Sequence, residues 1–361
     1  KDVAEGLGLK GEQVTHLFKD NSGNVWISTA GSGLICVLQS SFTNYTEYDG
    51  MSSSAVTCID EWKGHIYVGT NAGLNQFSSR GIINQGTLAE YLEAGVSQAS
   101  ACLGYIFDIT HSESHLFVSS NRFSVAEDFP SQKYLYGFVG RKALVMNDTM
   151  IITNWGRLLL RRAFEPKNTK PLFSRTSTES TREYFVEHLS SGKIIIGTSE
   201  GLLQYDLGKR ALHAIDVPVL KEKTTFFRAV EAKNGDVWFA TSNGALKWTS
   251  NGAWLRLTEN NGLNSNLTRA ISIDSEDRLW IGTEKGLNLY HNNEVVLYTK
   301  GNGLISNTVT NLHYSEQKNE LWIGTNKGIS VLHLNDFKPR EASPSPLYIS
   351  DIEVLGDTTY T

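Results

Sequence analysis

The chain has 361 residues, with 33 Lys and Arg against 38 Asp and Glu, a formal charge of −5, and 40% apolar residues. That is an ordinary globular composition, enough for one large domain or two to three small ones, and the small negative charge excludes the basic face that binds nucleic acid. No apolar run approaches the roughly 20 residues that span a bilayer, and Cys36, Cys58 and Cys102 are too few for a disulfide scaffold and lack metal-binding CxxC spacing.

In chain order, one short block recurs. The first repeat turns on Asp20-Asn21-Ser22-Gly23 and returns through Asn24-Val25-Trp26-Ile27-Ser28-Thr29. The second keeps the frame as His65-Ile66-Tyr67-Val68-Gly69-Thr70, and after it Leu88, Tyr91 and Leu92 fall at a spacing that predicts a short inserted helix within 86–95. Weaker copies follow at His115-Leu116-Phe117-Val118-Ser119-Ser120 and Thr149-Met150-Ile151-Ile152-Thr153. Residues 163–185, with Pro166, Pro171 and a Ser/Thr run, read as a long surface loop. Strong copies then resume at Lys193 to Thr198, Asp236 to Thr241, Arg278 to Thr283 and Glu320 to Thr325.

The closing Thr or Ser of the eight copies recurs at a mean spacing of about 42 residues, the length of a four-stranded propeller blade. Within the seventh copy, Leu267 to Asp274, Leu279 to Thr283, Leu287 to Tyr290 and Val295 to Thr299 are strand-forming runs separated by Gly, Asn and Asp turns. The expectation is an all-β propeller of four-stranded blades, with eight repeats by count and seven blades the alternative if one copy belongs to a neighbouring propeller or if the short 33-residue interval from Ser120 to Thr153 marks a degenerate half-blade. Residues 1–340 are assigned to the propeller and 341–361 to a linker and the first strand of a β-sandwich.

The ring in the second strand, at Trp26, Trp238, Trp280 and Trp322, recurs once per repeat and is expected to pack between adjacent blades. Asp20, Asp274 and Glu276 fall in hairpin turns and read as solvated turn residues on the face opposite the channel mouth. His111 and His115 flank a turn without a further metal-ligand partner, and no nucleophile elbow or phosphate loop is present, so neither a metal, a cofactor nor catalysis is expected.

Gly303-Leu304-Ile305-Ser306-Asn307-Thr308-Val309 followed by Glu320 to Ile329, and Gly262-Leu263-Asn264-Ser265-Asn266-Leu267 ahead of Leu279 to Leu287, resemble the two-component regulator propeller repeat. The stretch Pro344 to Val354 is similar to the opening strand of the small β-sandwich that follows the propellers in that family. The resemblance implies the extracytoplasmic, periplasmic sensor part of a membrane-bound hybrid histidine kinase of the Bacteroides type. Such a part binds an oligosaccharide or relays its binding, and forms a homodimer through the full-length receptor. Kinase chemistry would lie in cytoplasmic domains outside these residues. Aligning Gly6-Leu7 on Gly303-Leu304 sets Lys1 opposite Tyr298, so the chain is expected to begin mid-repeat as a C-terminal propeller of a longer protein. The alternative is a cell-surface or secretion-associated propeller that holds protein or surface polysaccharide without signalling.

With the first strand innermost, the turn between second and third strands opens on the same face as the loop leading into each blade, at the channel mouth. The variable tips there nominate Asn71, Arg122, Asn154, Trp155, Glu200, Asn243, Lys285, Asn326 and Lys327 as ligand-binding residues. Amides suit sugar hydroxyls, a flat ring suits a sugar face, and cations suit acidic sugars or sulfates.

Overall fold

Each of the eight repeated blocks is the second strand of an antiparallel sheet: Val25–Thr29, His65–Thr70, His115–Ser120, Thr149–Asn154, Ile194–Thr198, Val237–Thr241, Leu279–Thr283 and Glu320–Thr325. These come from a computed structural model that describes residues 11–20, 24–37, 41–78, 81–84, 104–113, 115–120, 124–128, 132–136, 142–146, 149–154, 157–162, 173–176, 181–335, 337, 339, 352–354 and 358–360. Seven of the eight sheets are four-stranded and the first, over 14–37, is three-stranded.

The inner strands of the seven are Val56–Trp62, Ile106–His111, Lys142–Met146, Glu183–His188, Phe226–Glu231, Thr268–Ile273 and Val309–Ser315, here called blades 1 to 7. Each inner strand lies beside the next, and the seventh lies beside the first, so the ring closes. Six blades take their four strands in chain order. Blade 7 does not: its outer strand is Phe42–Tyr45, which pairs with Gly328–His333 in the register Phe42↔Leu332 to Tyr45↔Ile329.

The recurring Gly and Thr have separate structural reasons. A Cβ on Gly69, Gly282 or Gly324 would lie within 2.7 Å of Ile106, Val309 or Val56, the first inner-strand residue of the next blade. Only glycine lets neighbouring sheets approach that closely, and buried interiors tolerate no such overlap. Thr70, Thr198, Thr241, Thr283 and Thr325 each donate from Oγ1 to the carbonyl of the glycine three residues on, at 2.6 to 3.0 Å, and each accepts from the backbone N–H two residues on at 3.0 to 3.2 Å. One side chain therefore ties the turn after the second strand at both ends.

A second recurrent link joins blades end to end. Outer strands run into Thr46, Thr258 and Thr299, each the N-cap of a single 3-10 turn that closes on a left-handed glycine, Gly50, Gly262 or Gly303. The apolar residue that comes next, Met51, Leu263 or Leu304, is buried, so the turn staples the loop onto the core before the next inner strand begins.

Second-strand aromatics do bridge blades. Trp322 of blade 7 meets Phe77 of blade 1 edge to face at 4.9 Å, and Trp238 of blade 5 meets Tyr290 of blade 6 at 5.8 Å. Asp274 departs from the solvated role expected of it. It is 2% exposed and its carboxylate accepts from Trp280 Nε1 at 2.8 Å and Arg278 Nε at 2.7 Å. Burying the indole N–H demands an acceptor, and the turn carboxylate supplies it. Asp20 does the same for Trp26 at 2.9 Å, whereas Glu276 stays exposed.

The proposed loop over 163–185 is partly strand: Phe173–Thr176 is the outer strand of blade 3, and Glu183 already opens blade 4. The helix expected within 86–95 lies outside the described residues. Within 341–361, Ile352–Val354 pairs with Thr358–Tyr360 as a two-stranded sheet of its own.

Candidate ligand site at the channel mouth

Six of the seven inner strands contain an irregularity at the same place. In blade 1, Val56 pairs with Thr70 and Cys58 with Gly69, leaving Thr57 as an extra residue without a partner position. The same step in blades 2, 4, 5, 6 and 7 leaves Phe107, Tyr184, Phe227, Arg269 and Thr310. Blade 3 has none, because Lys142 and Ala143 pair successively with Thr153 and Ile152. A bulge of this kind re-aims one side chain and bends the strand, and bulges concentrate at barrel rims and beside active sites.

All six extra residues line one cavity of about 550 Å³, with Tyr105, Lys142, Glu183, Arg228, Glu284 and Asn311 among the remaining wall. The first residue of each of these six inner strands is buried, anchoring the strand while its successor faces the cavity. Tyr184 and Phe227 meet edge to face at 5.1 Å, and Tyr105 and Phe107 are 5.0 Å apart. The Arg269 guanidinium lies over the Phe227 ring at 4.8 Å. Arg228 donates to Asn311 Oδ1 at 3.0 Å, and Asn311 in turn donates to the Thr57 carbonyl at 2.8 Å, joining blades 5, 7 and 1 across the channel.

Below the mouth lies a smaller cavity of about 230 Å³ walled by Asp60, Asp108, His111, Glu187 and, again, Lys142 and Arg228. Lys142 Nζ contacts Asp108 Oδ1 at 2.5 Å and His111 Nδ1 contacts Asp60 Oδ2 at 2.7 Å. Burial, reinforced by the Arg228 charge, lowers the Lys142 pKa, while the hydrogen bond to Asp60 raises that of His111. Burial pushes Glu187 up to about 7 against the opposing pull of Arg228. Cys58, enclosed beside this cluster, is pushed up to about 12 and is no nucleophile at neutral pH.

The turn after the second strand reaches this cavity in blade 6, where Glu284 lines it. Asn71, Glu200, Asn243, Lys285, Asn326 and Lys327 are not part of its wall. Their atoms serve the scaffold instead. The Asn71 N–H donates to the Ala55 carbonyl at 3.1 Å, and the N–H groups of Glu200, Asn243, Lys285 and Lys327 bond their turn threonines. The Glu200 carboxylate takes Lys223 at 2.8 Å, Asn243 donates to Thr224 at 2.7 Å, Lys285 faces Glu259 at 3.7 Å, and Asn326 accepts from Ser306 at 2.7 Å. Asn154 ends the second strand of blade 3, while Arg122 and Trp155 lie outside the described residues. Among the described residues no group of three or more His, Cys, Asp and Glu is placed to hold a metal ion.

What the repeat pattern passed over is the second residue of each inner strand. Its signal is positional: a residue of changing chemistry directly after the buried residue that opens the strand.

The family model described as two component regulator propeller matches residues 8–31 and 262–285. No curated protein sequence matches the chain. Among solved structures, the chain is similar to the extracellular domain assigned to a hybrid two-component system of B. thetaiotaomicron, BT3049, at 16% identity and a TM-score of 0.71, covering 90% of this chain and 45% of that one. A second such domain from the same organism, BT4673, gives 18% identity and 0.64, covering 82% of this chain and 40% of that one. Virginiamycin B lyase from Staphylococcus aureus gives 12% and 0.61, covering 81% of this chain and 98% of that one. The chain thus spans less than half the length of the two extracellular domains and about the whole of the lyase, and at these identities the likeness is one of fold. The two-component regulator propeller repeat is thus matched in the first sheet and again in blade 6, in a chain whose sheets close into a propeller.

Proposed function

We propose that this chain is the extracytoplasmic sensor propeller of a two-component signalling system and that it takes a glycan fragment at the channel mouth. The observation that carries the reading is the ring of bulges. Six separate blades each spend their one irregular residue on the wall of a single cavity, and those residues differ in chemistry while the scaffold around them repeats. A constant frame with variable side chains converging on a concave site is how a fold is fitted to a ligand. Aromatic rings, hydroxyls and an amide are the groups that hold a sugar. The repeat family and the likeness to extracellular domains of two-component systems support the signalling role.

A propeller closed by its own strands is stiff, so a ligand acts by biasing rigid-body arrangements of the propeller against a C-terminal sandwich. Residues 341–361 are then the start of that β-sandwich, which passes the bias on to a membrane-anchored kinase dimer.

The test is a thermal-shift screen of the chain against oligosaccharides from plant, host and microbial glycans, because a ligand bound only by the folded state raises the midpoint by mass action. A shift lost in Tyr184→Ala and Phe227→Ala supports the reading. A shift that survives both changes places the ligand elsewhere and overturns it.

A further inference from the structure

Charge at the mouth is unevenly satisfied. Of the three cations in the cavity wall, Lys142 is neutralised by Asp108 at 2.5 Å. Arg228 and Arg269 have no carboxylate within 4.0 Å among the described residues. Arg228 spends one N–H on the neutral Asn311 amide, and Arg269 lies on the Phe227 ring, which engages the guanidinium face and leaves its N–H edge available. Two carboxylates share the wall without answering these charges. Glu284 accepts from the Ser265 hydroxyl at 3.2 Å, and Glu183 is 7% exposed.

A guanidinium carries five donors in a planar fork and stays charged at any working pH. An anion seated between them would give each fork a charge-assisted partner in place of water. The Phe227 ring holds the Arg269 fork in place beforehand, which reduces what a ligand loses in ordering it.

We propose that the channel mouth anchors an acidic group of its ligand, a carboxylate or a sulfate ester, on Arg228 and Arg269. This rests on the reading of the mouth as the ligand site, and it narrows that ligand to an acidic oligosaccharide. Carboxylate and sulfate offer the same face of oxygens to a guanidinium fork, so the two sources are separated by experiment.

Isothermal titration of the 361-residue chain uses four probes: tetragalacturonate, its carboxyl-reduced form, a chondroitin sulfate tetrasaccharide, and its desulfated, carboxyl-reduced form. At least one acidic probe is expected to bind on the order of 100-fold more tightly than its neutral counterpart, as two charge-assisted contacts allow. Arg228→Gln and Arg269→Gln are each expected to weaken it about tenfold or more, Arg269→Lys is expected to restore part of the loss, and circular dichroism should remain unchanged. The acidic probe that binds identifies the source as uronate or sulfate.

Equal binding of acidic and neutral forms, unaffected by either Arg change but abolished by Phe227→Ala, overturns the anion anchor and leaves the mouth as the site. Acidic binding indifferent to all of these substitutions overturns both. Failure of every acidic probe to bind overturns the anchor.

Discussion

Val14 and Val309 open inner strands in the same register, opposite Thr29 and Thr325, yet Val14 is 45% exposed and Val309 is 0% exposed. The two sheets carry nearly the same second strand, Val25-Trp26-Ile27-Ser28-Thr29 against Leu321-Trp322-Ile323-Gly324-Thr325. In the ring, Val309 nests on Gly282 of the preceding blade. In the 14–37 sheet every residue of the inner strand is exposed, with Leu17 at 61% and Phe18 at 60%. The repeat thus encodes a sheet by itself, whereas burial is supplied by a neighbour on each side.

Truncation breaks the comparison most sharply. Removing residues 1–37 takes away the exposed sheet and is expected to leave the melting midpoint of the ring within a few degrees of its starting value. Removing residues 1–46 also takes the outer strand of blade 7, Phe42–Tyr45, and is expected to lower the midpoint by roughly 10 °C or more, read by calorimetry.

Next in size is a pair of glycines. A Cβ on Gly328, at φ +132, would lie 2.3 Å from the Tyr45 carbonyl oxygen, while one on Gly33, at φ +79, meets nothing within 4 Å. Gly328→Ala is expected to cost about 4 kcal/mol or more in urea unfolding, and Gly33→Ala about 1 kcal/mol from backbone strain alone. Equal losses would show that strand exchange contributes little to closure.

Val309→Ala should cost about 2 kcal/mol through lost burial and a cavity, and Val14→Ala less than about 0.5 kcal/mol. A matching loss at Val14 in the same melts would show that the first sheet is buried in solution.

The smallest effect concerns the interior that only the ring possesses. Glu187, raised from an ordinary 4.5 to about 7, keeps its proton in the fold where the unfolded chain releases it. Its contribution to stability is therefore present below about 4.5 and is lost as pH rises to about 7. Because its side chain also borders the channel, a change of about 1 to 2 kcal/mol is expected rather than that of full burial. Glu187→Gln should flatten this part of the pH dependence and raise the midpoint at pH 8 relative to the unaltered chain. An unchanged slope would mean that Glu187 ionises freely.

Much of the fold was legible because its causes are local. The Thr–Gly turn contact spans three residues, the Asp274 to Trp280 contact six, and the 3-10 cap from Thr299 to Gly303 four. The candidate site was legible only as a face. Turn tips such as Asn243 and Lys327 announce themselves by varying within a constant frame, but their hydrogen bonds are consumed by the turn. A bulge such as that at Phe227 leaves no mark in hydrophobic alternation, since it depends on how the strand meets its partner and not on its own composition.

By itself the sequence determined the repeat, the second strands, and the glycines and threonines that shape their ends. It also held the outer-strand pattern twice in similar form, Asn44-Tyr45-Thr46 before Gly50 and Leu297-Tyr298-Thr299 before Gly303. Which sheet the first of these completes was decided by the tertiary structure. Phe42–Tyr45 comes directly after the three-stranded sheet in sequence, yet it pairs with Gly328–His333, and Ser330 donates to Asn44 Oδ1 at 2.6 Å across 286 residues. A strand edge offers the same N–H and C=O groups to any partner, so local chemistry cannot choose between two sheets. Closing the ring can: it seats Met51 and Val56 in one cluster with Trp322 and Val331, and with that last blade in place the six bulges face a common cavity.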